Sequence, residues 1–394
     1  AGLASMAACA LRPDRAPIRG RAPGAARMMH PPHAPAAEQP EPREERKQLI
    51  QYLNDAEMHF LDHINVVPHN DILRNYDIGG VIGEGAFAQV FLATLRQDAS
   101  PRYAKFPTRL AMKVMQRHPH STEEDRRWAS DFMAQELSYA TRFAGLGLPL
   151  YFVAITPEAV TMAMELADGK LPVKKSFAEY PLRKRMLDLL SVVKKVACME
   201  LEGVIHCDIK IENILVSPQG EPAIADFGLS RPRGEGAPKA GSPGYLPPEG
   251  RQGLYVSDVW ALGLVVYQSV FEGREPTASE EASKNDFNGA WMVPKEDLRM
   301  RAAKEIATET VIEKMVGTRY PHRDRQLWVQ ELLSLMEKML QADWQQRINA
   351  YAAACKLQVL IESLDVVGPT EIEVMLSDAI RQTDAHVGSC NKVF

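Results

Sequence analysis

Three polar side chains stand at fixed offsets in an otherwise apolar stretch between residues 204 and 228. Asp208 is followed by Asn213 five residues on and by Asp226 eighteen residues on. Transfer of a phosphoryl group from ATP needs a carboxylate facing the attacking hydroxyl and oxygen ligands for magnesium. Two aspartates and an asparagine on neighbouring loops would supply both. The spacing therefore indicates phosphoryl-transfer chemistry.

Two short strands are predicted between these residues. Ile214–Val216 and Ala223–Ala225 are apolar runs, and the segment Ser217–Gly220 that joins them has the composition of a turn. A hairpin of this kind would hold the two polar loops side by side. The stretch therefore predicts one site built from both loops.

The pattern HxDxKxxN, followed at this distance by Asp-Phe-Gly, resembles the catalytic loop and metal-binding segment of the eukaryotic-type protein kinases. The resemblance implies that Asp208 faces the substrate hydroxyl and that Lys210 neutralises the transferring phosphate. It assigns magnesium to Asn213 and Asp226. His206 lies on an apolar stretch, and the resemblance implies a structural role for it and not that of a base.

A glycine turn between two alternating apolar runs begins at Tyr76. Gly83 and Gly85 would let backbone N–H groups approach phosphates, and Phe87 would cap the tip of the loop. Ala88 replaces the third glycine of the GxGxxG pattern. The order of strand, glycine turn, strand and apolar lysine strand is what resembles the family. The ATP-binding residues that the resemblance implies are Gly83, Glu84, Gly85, Ala86, Phe87, Ala88, Val90, Ala111, Lys113, Met164, Glu165, Ala167 and Asp168.

Lys113 is isolated in an apolar strand, where a charge is costly unless it is paired. Helical spacing predicts a helix from about Glu124 to Phe143. Glu136 falls on the apolar face of that helix, and an ion pair with Lys113 explains a carboxylate there. A plain surface glutamate is the alternative. In the family this pair clamps the α- and β-phosphates.

Two further apolar runs, Leu150–Ile155 and Ala159–Met164, are typical of strands and complete five in a small lobe. The polar linker Glu165–Gly169 follows, and the resemblance implies that it is the hinge whose backbone meets the adenine edge. By position Met164 corresponds to the gatekeeper, and Asp168 would reach the ribose. The connection between residues 96 and 109 is longer than a tight hairpin and is expected to be an exposed insert.

The segment after Asp-Phe-Gly is rich in glycine and proline and ends at Glu249. Ser242–Tyr245 resembles the substrate-docking loop, and the following Pro-Pro-Glu resembles the family's Ala-Pro-Glu motif. Asp258 opens a hydrophobic helix and would hold the backbone N–H groups of the catalytic loop. Arg347 would pair with Glu249, so that both buried charges have partners. Small-molecule kinases of related fold generally lack this set, which favours a protein kinase.

Cys207 stands where many family members carry an arginine that pairs with a phosphorylated residue of the activation segment. Between Asp226 and Glu249 the hydroxyl residues are Ser230, Ser242 and Tyr245. Two of them occupy docking positions and the third lies next to the metal loop. The simplest interpretation is a kinase that needs no activation-loop phosphate. Lys210 is typical of the serine/threonine branch.

The composition narrows the possible partners, metal sites and location of the protein. The 394 residues carry a formal net charge of −5, which gives no sign of a nucleic-acid partner. Five scattered cysteines have no zinc spacing and indicate reduced thiols. No apolar run approaches the ~20 residues of a membrane helix. A soluble protein is expected, with a cytoplasmic location as the first expectation.

The predicted fold is α+β and two-lobed, with a small five-stranded β lobe that carries one main helix and a larger, mainly α lobe. Residues 1–43 are rich in Ala, Pro and Arg and are expected to be disordered. A helical extension at 44–75 precedes the kinase domain at 76–362, which divides into small lobe 76–164, hinge 165–169 and large lobe 170–362. One or two helices are expected over 296–316. A tail at 363–394 contains a short helix near 371–380.

The predicted function is magnesium-dependent transfer of the γ-phosphate of ATP to serine or threonine hydroxyls of a protein substrate. A pseudokinase scaffold and a small-molecule kinase are the alternatives. The helix at 44–64 is expected to dock on the small lobe, with a regulatory partner as the alternative. The leader also leaves a secretory signal or a transit peptide open. A secreted rhoptry-type kinase would account for the leader, the extra helix and Cys207.

Overall fold

A computed structural model of the chain describes residues 65–85, 88–116, 123–156, 159–235, 241–250, 256–273, 323–341, 343–370 and 372–377. The small lobe contains helices α1 (His69–Asn75) and α2 (Glu123–Arg142) and the strands β1 (Tyr76–Glu84), β2 (Ala88–Leu95), β3 (Arg109–Gln116), β4 (Leu150–Ile155) and β5 (Ala159–Glu165). The strands form one antiparallel sheet in the order β1-β2-β3-β5-β4. The predicted five-stranded lobe is therefore confirmed.

Both faces of the sheet are apolar, because successive side chains of β3 and β4 point alternately into two apolar clusters, one on each face. Met115 points to the face that α2 covers, where it joins Phe132 and Leu137 of that helix. Leu110 and Met112 point to the opposite face. Helix α2 begins and ends one residue earlier than the sequence predicted.

The insert between β2 and β3 is exposed over most of its length, as expected, but Tyr103 from it packs into the second face of the sheet. Tyr103 is only 1% exposed and packs edge-on against Tyr76 and Phe152, with ring centroids 5.8 and 5.9 Å apart. The ring centroid of Phe106 lies 5.1 Å from that of Phe152. These aromatic rings remove from water an apolar surface that the sheet would otherwise expose.

The chain joins the small lobe before residue 76. Val67 N–H donates to Val153 O at 2.9 Å, and Val153 N–H donates to Asn65 O at 2.8 Å, which forms a parallel bridge on the edge strand β4. Ile72 of α1 then packs into the apolar cluster on the sheet face opposite α2, which includes Met112 and Phe152 and is called the outer core below. The helix predicted over 44–64 lies outside the described residues.

The large lobe is mainly helical. Its helices are α3 (Leu182–Leu201), α4 (Val256–Val270), α5 (Arg323–Met339) and α6 (Ala350–Val367), and its short strands are β6 (Gly169–Lys170), β7 (Val204–Ile205), β8 (Ile214–Val216), β9 (Pro222–Ile224) and β10 (Arg231–Pro232). β6, β8 and β9 form one small sheet, and β7 pairs with β10. A large apolar core joins all four helices. The two-lobed α+β class is confirmed.

The end of the described chain packs on the same core. Helix α6 runs past residue 362, where the sequence placed the end of the domain. Residues 372–377 are helical, and Ile372, Met375 and Leu376 are buried. The helices predicted over 296–316 lie outside the described residues. Within the described ranges, no helix is both long and apolar enough to cross a membrane.

Candidate active site

The catalytic loop leaves β7 in a conformation that α4 holds in place. Asp258 of α4 accepts the N–H of His206 at 2.6 Å and the N–H of Cys207 at 3.0 Å. Cys207 has φ of 67°, a left-handed conformation that a side chain adopts at a cost. Burial raises the pKa of Asp258 to about 7, although the two N–H donors oppose the shift. Asp258 therefore stabilises a bend that Cys207 would not adopt alone.

The carboxylate of Asp208 is held by three neighbours. Lys210 Nζ and Asn213 Nδ2 donate to Asp208 Oδ2 at 2.7 and 2.9 Å, and the backbone N–H of Ser242 donates to Oδ1 at 3.1 Å. Lys210 Nζ also lies 2.7 Å from Ser242 Oγ. The sequence predicts Ser242 in the docking loop, but it does not predict its contacts with Asp208 and Lys210. The catalytic loop and the docking loop therefore meet at the carboxylate of Asp208.

Lys113 joins the small lobe to the metal-binding segment. Its Nζ lies 2.7 Å from Glu136 Oε1 of α2 and 2.8 Å from Asp226 Oδ1. Burial alone would lower the pKa of Lys113, but the two carboxylates outweigh burial and raise it above its usual value. Burial would likewise raise the pKa of Asp226, but Lys113 holds it below its usual range. Both groups are therefore charged at neutral pH.

The donor set on the two loops suits magnesium. The side-chain amide nitrogen of Asn213 donates to Asp208 O and Oδ2 at 2.9 Å each, which fixes the orientation of its amide oxygen. Asp226 adds a carboxylate. Magnesium is commonly held by one or two carboxylates together with substrate phosphates, so these residues fit that ion. Among the described residues no cluster of three or more His, Cys, Asp or Glu forms a separate metal site.

The metal-binding segment is packed on one side by an aromatic stack. Asp226 has φ of 67°, and Phe227 points away from the cleft into the large-lobe core. The centroid of its ring lies 5.2 Å from that of His206 and 6.2 Å from that of Phe143, the residue after α2. Burial lowers the pKa of His206 to about 4, so the imidazole is neutral at physiological pH. It packs as a ring and accepts the Asp208 N–H at Nδ1, at 3.3 Å.

Gly147 is required at its position, although no sequence pattern predicts this. A Cβ on this residue would lie 2.9 Å from Ile224 O and 3.3 Å from the Phe227 ring. In the same loop, Leu146 O accepts the N–H of Ile224 at 2.9 Å. The available signal is a glycine a few residues before an apolar strand, but only long-range packing shows which atoms it approaches.

Several of the residues that the sequence predicts to contact ATP lie on strands of the small lobe or in the turn between β1 and β2. Gly85 N–H donates to Ala88 O at 2.9 Å and closes the glycine turn, and a Cβ on Gly83 would lie 3.5 Å from Val90. Ala111 pairs with Met164 across β3 and β5. The predicted residues Ala86 and Phe87 lie outside the described residues.

The linker between the lobes is short. β5 extends to Glu165, whose N–H donates to Pro149 O at 2.9 Å, and Ala167 lies between this strand and β6. Asp168 is exposed, and its N–H donates to Val216 O at 2.8 Å. The hinge backbone thus connects the five-stranded sheet to the hairpin that carries the catalytic loops.

The end of the activation segment is tied to the large lobe by a buried ion pair. Arg347 Nη1 and Nη2 lie 2.6 and 2.7 Å from the two oxygens of Glu249. Arg347 also donates to Val256 O and Gln341 O at 2.9 Å each, and its guanidinium lies over Trp260. Four of the five N–H donors of Arg347 therefore have an acceptor, which offsets part of the cost of burying the pair.

The family description "Protein kinase domain" matches residues 76–358 of this chain. The chain is 30% identical over 215 residues to a calcium/calmodulin-dependent protein kinase type 1 of Caenorhabditis elegans, covering 51% of this chain and 57% of the relative. It is 25% identical over 295 residues to Aurora/IPL1-related protein kinase 2 of the same organism, covering 71% and 90%.

A third relative is the serine/threonine-protein kinase PEPKR2 of Arabidopsis thaliana, which is 30% identical over 268 residues, covering 62% of this chain and 53% of the relative. The chain thus spans little more than half the length of two of these three kinases. The match over the domain and the arrangement of the site agree. The chain belongs to the eukaryotic-type serine/threonine protein kinases.

Proposed function

We propose that this protein transfers the γ-phosphate of ATP to a serine or threonine hydroxyl of a protein substrate. The observation that carries the proposal is the double contact of Lys113 with Glu136 and Asp226, at 2.7 and 2.8 Å. It brings the small-lobe strand, helix α2 and the metal-binding segment together at one ammonium. This arrangement is the one in which a lysine can meet ATP phosphates while Asp226 meets magnesium.

In the proposed reaction the substrate hydroxyl attacks the γ-phosphorus. A new oxygen–phosphorus bond forms, the bond to the β-phosphate oxygen breaks, and ADP leaves. Asp208 orients the hydroxyl and accepts its proton, and Lys210 offsets the negative charge of the phosphate in transit. Magnesium bound by Asn213 and Asp226 would neutralise charge on the phosphates.

The proposal includes activity without phosphate on the activation segment. Burial raises the pKa of the Cys207 thiol, so position 207 carries no charge that an anion must balance.

The test is phosphate transfer from labelled ATP to a generic basic protein, with Asp208→Asn and Asp226→Asn compared with the unchanged chain. Asp208→Asn should leave ATP binding nearly intact and reduce kcat by about a thousandfold or more, because it removes the group that faces the nucleophile. Asp226→Asn should also weaken magnesium-dependent ATP binding. Asp365→Asn, an exposed carboxylate on α6 paired with Arg183, is the matched control.

Transfer at the unchanged rate in both variants would contradict the assigned roles. The absence of transfer by the unchanged chain, with ATP binding retained, would instead favour a pseudokinase scaffold. Incorporation of phosphate into a small metabolite and not into protein would favour a small-molecule kinase.

A further inference from the structure

The ring of Phe132 lies directly on the backbone of Gly228. A Cβ on Gly228 would come no farther than 2.7 Å from three atoms of that ring, Cε1, Cε2 and Cζ. The φ angle of Gly228 is outside the left-handed region, so its backbone conformation does not call for glycine. The space that Phe132 occupies is therefore what requires glycine at position 228.

Phe132 precedes Glu136 by one helical turn and lies on the same face of α2. One rigid helix therefore contacts both halves of the candidate centre. Glu136 contacts Lys113, and Phe132 contacts the residue two places after Asp226. A shift of Phe132 would change the position of the metal-binding segment relative to Glu136.

The surroundings of Phe132 are apolar. Phe132 is 5% exposed and belongs to one cluster with Leu229 and Leu137, and Cys207 packs against that cluster. In addition to the polar contacts of Lys113, helix α2, the metal-binding segment and the catalytic loop thus meet in this apolar cluster. Contacts of this kind are close-packed and leave little freedom of position.

We propose that Phe132 is a positioning residue, whose packing on Gly228 holds Asp226 where its carboxylate meets Lys113. In this way the packing of Phe132 sets the affinity for magnesium, and no phosphate on the activation segment is needed. The inference rests on the proposed function for its magnesium site. The contact itself is a property of the free protein and can be measured without nucleotide.

The first measurement is amide hydrogen exchange of the free protein, comparing Phe132→Leu with Phe152→Leu. The control replaces a fully buried phenylalanine of the outer core, away from the metal-binding segment. Phe132→Leu should speed exchange of the Ala225 and Ser230 amides, which donate to Asn213 O and Phe227 O at 2.9 Å each. Phe152→Leu should leave these amides unchanged. Equal exchange of these amides in both variants would overturn the inference.

The second measurement is the magnesium concentration that gives half of the ATP-dependent rise in melting temperature. If Phe132→Leu leaves the segment correctly placed about a tenth of the time, this concentration rises about tenfold. The Phe152→Leu variant should match the unchanged chain. An unchanged magnesium requirement in Phe132→Leu would contradict the proposed positioning role.

A double substitution tests the contact directly. Gly228→Ala should lower the melting temperature less in the Phe132→Leu background than in the unchanged background, because the shorter side chain makes room for the methyl group. Equal losses in the two backgrounds would show that Phe132 is not what requires the glycine. Failure of the proposed function would show separately, as absence of phosphate transfer by the unchanged chain. The exchange and melting results do not depend on transfer.

Discussion

Lys210 Nζ lies 2.7 Å from Ser242 Oγ and 2.7 Å from Asp208 Oδ2, so one ammonium connects the activation segment to the catalytic loop. The backbone N–H of Ser242 adds a second link to Asp208. The docking loop is therefore held by the groups proposed to carry out the chemistry. Its position and the position of the phosphate-neutralising lysine depend on each other.

Ser242→Ala removes the hydroxyl from this connection and keeps the backbone link. We expect kcat for peptide phosphorylation to fall about tenfold, since the lost hydrogen bond involves a charged group. Ser242→Thr should retain most of the activity. Ser363→Ala, whose hydroxyl bonds a carbonyl of its own helix at 3.0 Å, is the control. Equal rates for the two alanine variants would show that the hydroxyl does not position Lys210.

Phosphorylation of the activation segment should not be needed for activity. Protein made in bacteria, treated with phosphatase and shown by mass spectrometry to be unmodified at Ser230, Ser242 and Tyr245, should keep most of its transfer rate. The reason is that position 207 carries a neutral thiol, so no buried cation there needs a phosphate. A tenfold or larger loss, restored by incubation with ATP, would contradict the interpretation of Cys207.

His206 should make stability fall on mild acidification. Its pKa is about 4 in the folded protein, mainly because burial lowers it from 6.5, while Asp208 and Asp226 act in the opposite direction. The unfolded chain therefore binds more protons between those pH values, and the free energy of unfolding falls as pH decreases from about 6.5 to about 4.

His206→Phe keeps a ring against Phe227 and removes this titration. Its free energy of unfolding should decrease less steeply between these pH values, by up to about 1.4 kcal/mol per pH unit. Urea unfolding at several pH values between 4.5 and 7.5 measures the difference. Parallel profiles for the two proteins would show that the imidazole is not held neutral.

Tyr103, in the insert between β2 and β3, should contribute to stability as other core residues do. Tyr103→Ala is expected to lower the free energy of unfolding by about 3 kcal/mol, because it removes a fully buried aromatic ring. Asp98→Ala, at an exposed ion pair with Arg96 in the same connection, should change stability little. Equal melting temperatures for the two variants would contradict the core role of Tyr103.

Much of the candidate site is predictable because its residues are close in the chain. The spacing of Asp208, Asn213 and Asp226 is set by one loop and one hairpin, so sequence order alone brings them together. The pairing of Lys113 with Glu136 follows from the cost of leaving a charge unpaired in an apolar strand or helix face. In both cases local physical chemistry leaves few alternatives.

Other features depend on contacts between distant segments and carry no local signal. Tyr103 occurs in a polar connection, and its burial follows only from the apolar sheet face on which it packs. Phe132 reads as one apolar residue among several on α2, and its contact with Gly228 depends on how the lobes pack. The bridge from Val66 to Val153 likewise follows from tertiary structure and not from a pattern.

The pair of Glu249 with Arg347 has a consequence for the order in which the chain can mature on the ribosome. Its two members are 98 residues apart, so Glu249 is synthesised long before its cation exists. A nascent chain that ends before residue 347 lacks this ion pair, which ties the end of the activation segment to the large lobe in the folded protein. The catalytic half of the large lobe is therefore completed only when a much later part of the polypeptide has been translated.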